Sequence, residues 1–509
     1  MKSSNTMKKF IGIIAMSSFV IVGGCTKLEE EPIGLLAPES FFKTPSDAEA
    51  AVMGSYSMLT RDYLYGRILP MTLQLLGDQV DIGDIGTVGR RIETNEFRFD
   101  PANVDYETIW SSLYLVIGAA NSALDGIPGI EMDETKKNAL LGEATAVRAL
   151  AYYHLVQLFG DVPYLDEFVR DPDSVKEMTR TPASEVWGFI IQDLEYAITV
   201  LPDQHPGGVK SRATKGSAHT LLAKIHMIHG NWAEAAEHAE HVIQNAGTYG
   251  YALNPDYKAL WDADLGDQPE HVWTADFIGG TNDYSNDNRA SVDYNAPMTG
   301  VRDADMNGWS VLVASPGVYD FFPDGDYRKE VTFLTETEVD GVMTPYTEWT
   351  WSRIHYNKWN INPGANANSD GAQSDHNYII FRYAEVLLMA AESLNELNNG
   401  PTPAAYDYIN QVRERARNQG GTTNQIPADL TAGMSYEEFQ KAVRDERTYE
   451  LAAEWKRWYD IKRWGLLMEV FSGPDALETQ NPAPYNLLLP VPQSEIGRNA
   501  NLLPQNEGY

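Results

Sequence analysis

Apolar residues three and four positions apart recur through two long stretches of this chain and fail in the stretch between them. That pattern constrains the fold more than any other feature, because it demands paired amphipathic helices on both sides of something irregular. Ala144, Val147, Ala151, Leu155 and Leu158 mark one stripe, which predicts a helix over 142–159 that stops at Gly160. Thr181-Pro182 predicts the next helix by an N-cap and a first-turn proline, with Trp187, Ile190, Leu194 and Ile198 as its buried stripe. Helices over 215–229 and 232–244 read as a pair. Asn231 and Glu234 bracket the second start, and Trp232, Ala235, Ala239 and Val242 form its stripe.

Upstream, Ser46 with Glu49 has the spacing of a capping box before Val52, Tyr56 and Leu59, and another helix is expected near 106–124. The glycine-dotted segment 61–101 reads as loop-rich. Downstream, Tyr383, Leu387, Ala390, Leu394 and Leu397 share a face until Gly400-Pro401 breaks the helix, and 404–418 pairs back. Ser435 with Glu438 opens the last long helix, with Leu451, Trp455, Trp458 and Ile461 on one face as far as Gly465. Short antiparallel helices with small residues at their contacts are how helical repeats stack. The expected fold is mostly α: stacked helical pairs over about 41–248 and 379–509, carrying an irregular, loop-rich lobe over about 249–378. In that lobe Trp349, Trp351, Arg353 and His355 alternate with Thr350, Ser352 and Ile354, which reads as a strand. A structureless run of that length is disfavoured in a compact domain, so short strands are expected there.

Residues 1–24 read as an export signal: Lys2, Lys8 and Lys9, an apolar run from Phe10 to Val22, then Gly23-Gly24. The run is too short for a good membrane span, which takes roughly 20 apolar residues. Val22-Gly23-Gly24-Cys25 resembles a bacterial lipobox, and Cys25 is the only cysteine in the chain. Acylation of Cys25 is favoured over an ordinary cleaved signal with a chance cysteine nearby. Residues 25–40 then read as a lipidated leash, with little to bury. The acidic Glu29-Glu30-Glu31 resembles a surface-export signal and reads equally well as a solvated charge run.

With no second cysteine, stability rests on the core, which a chain of this size builds easily. The formal charge of −33 loses three lysines with residues 1–24 and becomes −36. Such acidity argues against nucleic acid, which requires basic patches.

Several stretches resemble the SusD/RagB family of outer-membrane, glycan-capturing lipoproteins. The most specific is Glu446-Arg447-Thr448-Tyr449-Glu450-Leu451-Ala452 with Glu454, Arg457-Trp458-Tyr459-Asp460 and Lys462-Arg463-Trp464-Gly465. Arg382-Tyr383-Ala384-Glu385-Val386-Leu387-Leu388, Ile409-Asn410-Gln411-Val412-Arg413, Gly142-Glu143-Ala144 with Arg148-Ala149, and Leu488-Leu489-Pro490-Val491-Pro492 follow the family's order. The resemblance implies a tetratricopeptide-like, α-α superhelical body, lipid anchoring at the cell surface, a glycan ligand, and a TonB-dependent, SusC-like barrel as partner. Read as residues alone, Arg447, Glu450, Glu454 and Arg457 are spaced for side-chain pairs on one helix, and that is favoured over Glu450 and Glu454 as an acid/base couple.

The chain carries no Walker loop, no dinucleotide fingerprint, no His-Glu-x-x-His and no Gly-x-Ser-x-Gly. His219, His226, His229, His238 and His241 cluster on one helical pair. Polar helix faces are favoured there over a metal site, and neither metal nor cofactor is expected. A binding protein that captures sugars needs aromatic walls and a few hydrogen-bonding groups. Tyr63, Tyr65 and Asp81 in the early loop, and Tyr284, Trp309, Trp349 and Trp351 in the lobe, are the candidates, with Asn282, Asp283 and Arg302 as polar partners. Trp273 and Trp359 are assigned to the core. The alternatives are capture of peptides, a surface glycoside hydrolase, and a helical scaffold with no ligand.

Overall fold

The computed structural model describes residues 41–280, 293–367 and 374–509. The export signal, Cys25, the leash, Asn282, Asp283 and Tyr284 lie outside them. Residues 44–509 form one compact unit. Its principal helices are α1 (Pro45–Leu59), α2 (Val104–Gly126), α3 (Glu134–Phe159), α4 (Ala183–Val200), α5 (Lys215–Ile228), α6 (Trp232–Gln244), α7 (Tyr383–Asn398), α8 (Pro403–Ala416), α9 (Tyr436–Leu451) and α10 (Arg457–Trp464). Each from α1 to α7 packs on the next, and α9 returns to α7. The α6–α7 contact carries the helical path across the lobe, so the expected tetratricopeptide-like superhelix is the observed one. α3 is buried on every side over its C-terminal half, as a helix at the centre of a layered stack must be. It ends at Gly160, whose φ of 74° closes the turn.

Local chemistry departs from expectation in instructive places. The first helix is capped by Thr44 with Asp47, not by Ser46 with Glu49; both reciprocal bonds of the box are made two residues earlier. Asn231 makes no side-chain cap and instead approaches His226 Nδ1 at 3.4 Å. The segment 61–101 is not loop throughout. It holds a π-turn at Asp62–Gly66 and a helix at Ile68–Leu75 that is buried all round, so it shows no apolar stripe to read.

The last long helix is two helices. Between α9 and α10 the backbone takes φ of 59° at Ala453 and 64° at Trp455. The break turns Glu454 and Trp455 inward, where Trp455 stacks between Trp359 at 4.6 Å and Tyr378 at 4.4 Å. Consequently Arg447, Glu450, Glu454 and Arg457 pair across elements rather than along one helix. Arg447 grips Asp460 at 2.8 and 2.9 Å, and Arg457 grips Asp78 at 2.6 and 2.7 Å.

The lobe begins and ends in one antiparallel pair, β2 (His271–Ala275) against β8 (Tyr378–Arg382). Its other sheet orders β1 (Val80–Ile82), β3 (Leu312–Ala314), β7 (His355–Tyr356) and β4 (Phe333–Leu334) side by side, so the early segment and the lobe share hydrogen bonds. A hairpin of β5 (Glu336–Val339) and β6 (Val342–Pro345) stands apart from it. The strand expected over Trp349 to His355 reduces to His355–Tyr356; the residues before it form turns and bends.

At the end of β8, Arg382 is fully buried and meets Glu270 at 2.7 Å, Glu450 at 2.5 Å and Glu454 at 2.7 Å. Arg328 and Arg415 bind the same Glu450, and Lys358 binds Glu454 at 2.8 Å. Burial alone would raise Glu450, but Arg415, Arg382 and Arg328 hold its carboxyl well below the usual range. Neither Glu450 nor Glu454 is exposed, so an acid/base couple at these two residues has no access to a substrate.

Candidate functional site

The β1–β3 pairing sets up the site. Val80 and Ile82 point into the core, and strand alternation turns Asp81, opposite Val313, to the other face. Asp81 accepts from Arg353 Nη2 at 2.9 Å and from Asn95 Nδ2 at 3.1 Å. Arg353 also donates to the Ala314 carbonyl at 3.0 Å, which staples the 349–353 segment to the sheet. Above this pair opens a cavity of about 770 Å³. Asp81, Arg353, Asn95 and Gln480 give it polar groups; Ile85, Phe97, Phe99, Tyr485 and Tyr509 give it apolar and aromatic walls. Tyr485 is exposed and meets the Tyr509 ring edge-on at 5.3 Å, while Tyr509 stacks toward Phe99 at 6.3 Å. The Tyr509 hydroxyl donates to the Leu488 carbonyl at 2.9 Å, which anchors that wall.

A second group of polar and aromatic side chains follows from the end of β1. Gly83 passes so close to the Ser310 carbonyl that a Cβ would sit 2.4 Å from it, so only glycine fits. The turn after it is closed by Asp84 Oδ1, which accepts from Gly86 N at 2.8 Å. Asp84 Oδ2 binds Arg302, whose guanidinium also donates to the Trp309 carbonyl at 3.1 Å. Ser310 Oγ accepts from Arg302 N at 2.9 Å and meets His355 Nε2 at 2.9 Å. Burial lowers that histidine to about 4, so its ring is neutral at physiological pH. The Trp309 ring lies 5.5 Å from Tyr294, and Tyr294 N donates to Gly66 O, at the end of the turn that carries Tyr63.

An aromatic-walled cavity with a few convergent polar groups is the usual form of a small-ligand site. Residues 336–509 match a family model described as the SusD family, and residues 88–227 match one described as starch-binding associating with outer membrane. The SusD-like protein P2 of Formosa agariphila is 41% identical over 518 residues, covering 99% of this chain and 100% of that protein. The chain belongs to the SusD/RagB family. The starch-binding protein SusD of Bacteroides thetaiotaomicron is 25% identical, with 81% of this SusD/RagB chain and 80% of that protein covered. A solved laminarin-binding SusD-like protein superimposes with a TM-score of 0.77 at 25% identity, over 92% of this chain and 100% of that one.

In this SusD/RagB protein the expected ligand contacts separate into groups. Asp81 lines the large cavity. Arg302 and Trp309 belong to the neighbouring group, and Tyr63 is exposed. Trp351 is half-buried, with an indole N–H that is buried and has no hydrogen-bond partner among the described residues. Tyr65 and Trp349 are core residues instead. Tyr65 is 1% exposed, bonds His154 Nε2 at 2.7 Å and packs on Tyr378 at 4.3 Å. Trp349 clusters with Val301 and Ala304 and donates to the Thr344 carbonyl at 3.1 Å. Trp273 and Trp359 are buried, as assigned.

Sequence reasoning missed the cavity walls given by Phe97, Phe99, Tyr485 and Tyr509, and the floor given by Asn95, Arg353 and Gln480. The available signal was the proline-punctuated tail, whose two tyrosines, Tyr485 and Tyr509, are what it brings to the cavity. The histidine cluster is a ladder between α5 and α6. His219 Nδ1 meets His238 Nδ1 at 2.9 Å, His219 stacks on His241 at 4.0 Å, and His226 stacks on His238 at 5.5 Å. Among the described residues no three His, Cys, Asp or Glu side chains converge as metal ligands.

Proposed function

We propose that this chain is a surface lipoprotein that captures oligosaccharide or polysaccharide and delivers it to a TonB-dependent, SusC-like transporter in the outer membrane. The observation that carries the reading is the cavity of about 770 Å³ on a SusD-type body, with tyrosine and phenylalanine walls and an Asp81–Arg353–Asn95 floor. Sugar rings present C–H faces that pack on aromatic rings, and their hydroxyls match carboxylate, guanidinium and amide groups. The glycan ligands in the names of SusD and of the laminarin-binding neighbour support a glycan here. The protein acts without catalysis, as a lid-like receptor over its barrel, held outside the cell by lipid on Cys25.

Isothermal titration of the mature protein against a broad glycan panel tests this. Saturable binding of at least one glycan, with no release of reducing ends on incubation, is expected. Binding of peptides with no response to any glycan overturns it in favour of peptide capture, and reducing ends that disappear on mutating an acidic pair overturn it in favour of a hydrolase.

A further inference from the structure

Beneath the cavity lies a carboxyl group that the capture reading does not use. Glu478 is 6% exposed. Its Oε1 accepts from Asn95 Nδ2 at 3.3 Å and from Gln480 Nε2 at 2.8 Å, and both of those amides line the cavity. Its Oε2 is buried with no hydrogen-bond partner among the described residues. The same Asn95 amide donates to Asp81, so Glu478 joins the Asn95–Asp81–Arg353 chain of contacts that forms the cavity floor.

We infer that Glu478 is a positioning residue of the cavity, holding the Asn95 and Gln480 amides in the orientation that a ligand meets and making that orientation depend on pH. The inference rests on the capture reading for its ligand but not for its chemistry. Burial, with Asp81 and then Asp78 nearby, raises Glu478 to about 8, so it is a neutral acid at pH 7. Asp81 is paired with Arg353 and Asp78 with Arg457, and the nearby Tyr356 phenol donates to the Gln79 carbonyl. As pH rises through about 8, a third negative charge appears beside Asp78 and Asp81. The Asn95 amide, shared by Asp81 and Glu478, then sits between two carboxylates, and the floor rearranges.

A carboxyl raised in the folded state binds its proton more tightly there than in the unfolded chain. Its contribution is present below the ordinary value of 4.5 and is lost as pH rises toward about 8. Glu478→Gln keeps the acceptor and removes the titration, so it gains on wild type as pH rises.

The test combines three measurements on wild type, Glu478→Gln and Glu478→Leu. Infrared titration is expected to show a protonated-carboxyl C=O band at neutral pH that is lost near pH 8 and is absent from Glu478→Gln. The melting temperature of Glu478→Gln is expected to match wild type near pH 5 and to exceed it by several degrees at pH 8. With a glycan returned by the panel as probe, wild-type affinity is expected to fall about tenfold from pH 7 to pH 9. Glu478→Gln stays flat at the pH 7 value, and Glu478→Leu is weak throughout. No titrating band, or an affinity that falls equally in Glu478→Gln, overturns the inference. If no panel glycan binds, the capture reading fails, while the infrared band and the melting-temperature difference still decide whether Glu478 titrates as stated.

Discussion

Trp349 and Trp351 stand two positions apart and do different work. Trp349 fills a small core with Val301 and Ala304, against which Leu334, Val339 and Tyr346 pack. Truncating a buried tryptophan costs about 3–5 kcal/mol, so Trp349→Ala is expected to lower the denaturant midpoint sharply. Trp351 keeps an indole N–H without a partner among the described residues and packs less completely. Trp351→Ala is therefore expected to cost under about 1 kcal/mol of stability while weakening a bound glycan. Tyr485→Ala, which strips an exposed wall from the cavity, is expected to weaken the same glycan by about tenfold, or about 1.4 kcal/mol. Titration calorimetry beside urea unfolding separates the two effects. A purely structural scaffold predicts no change in any ligand interaction on Trp309→Ala or Trp351→Ala. Aromatic identity and a period of two could not tell these residues apart. What distinguishes Trp349 from Trp351 is the hydrophobic cluster with Val301 and Ala304, which sequence spacing does not encode.

At the scale of elements, the α5–α6 pair was the most legible part of the chain, and its histidines give it a pH response. Burial lowers His219 to about 3 and His238 to about 4, with the neighbouring histidines adding to the shift, and His226 and His229 are lowered too. Lys215 also faces His219, while Glu234, Glu195 and Glu237 oppose the shift at His226. Each lowered imidazole takes up its proton less readily folded than unfolded. Their stability contribution is whole above the ordinary 6.5 and is lost as pH falls from there toward 4 and 3. Thermal unfolding is expected to lose stability progressively below pH 6.5, and His219→Gln with His238→Gln is expected to flatten that slope. α6 itself was readable because it buries one stripe, Ala235, Ala239 and Val242, whereas α5 is buried over nearly its whole length. The buried helix Ile68–Leu75 has no polar face, and the α9–α10 break is imposed by Lys358 and Arg382 drawing Glu454 inward. Both are tertiary demands with no local period.

Over the whole molecule, the lobe and the superhelix are joined by buried charge. Arg382, where β8 meets α7, faces Glu270, Glu450 and Glu454, none of which reaches water. Arg382→Met would leave these carboxylates with fewer cationic partners and is expected to cost about 3–5 kcal/mol, read as a fall in melting temperature of the whole chain. The anchor is expected to behave in the opposite way. Cys25 precedes the compact unit of residues 44–509, and every cavity-lining residue named here belongs to that unit. A lipid on Cys25, as proposed, would contribute membrane affinity through its methylenes, at about 0.8 kcal/mol for each one buried, and stable anchoring takes more than one chain. Cys25→Ala is therefore expected to move the protein from the membrane fraction to the soluble fraction while its glycan affinity, measured by titration of the released protein, stays within about twofold of wild type, or about 0.4 kcal/mol. Loss of glycan binding together with the anchor would mean that residues 25–43 contribute to the site, and the cavity alone would no longer account for capture.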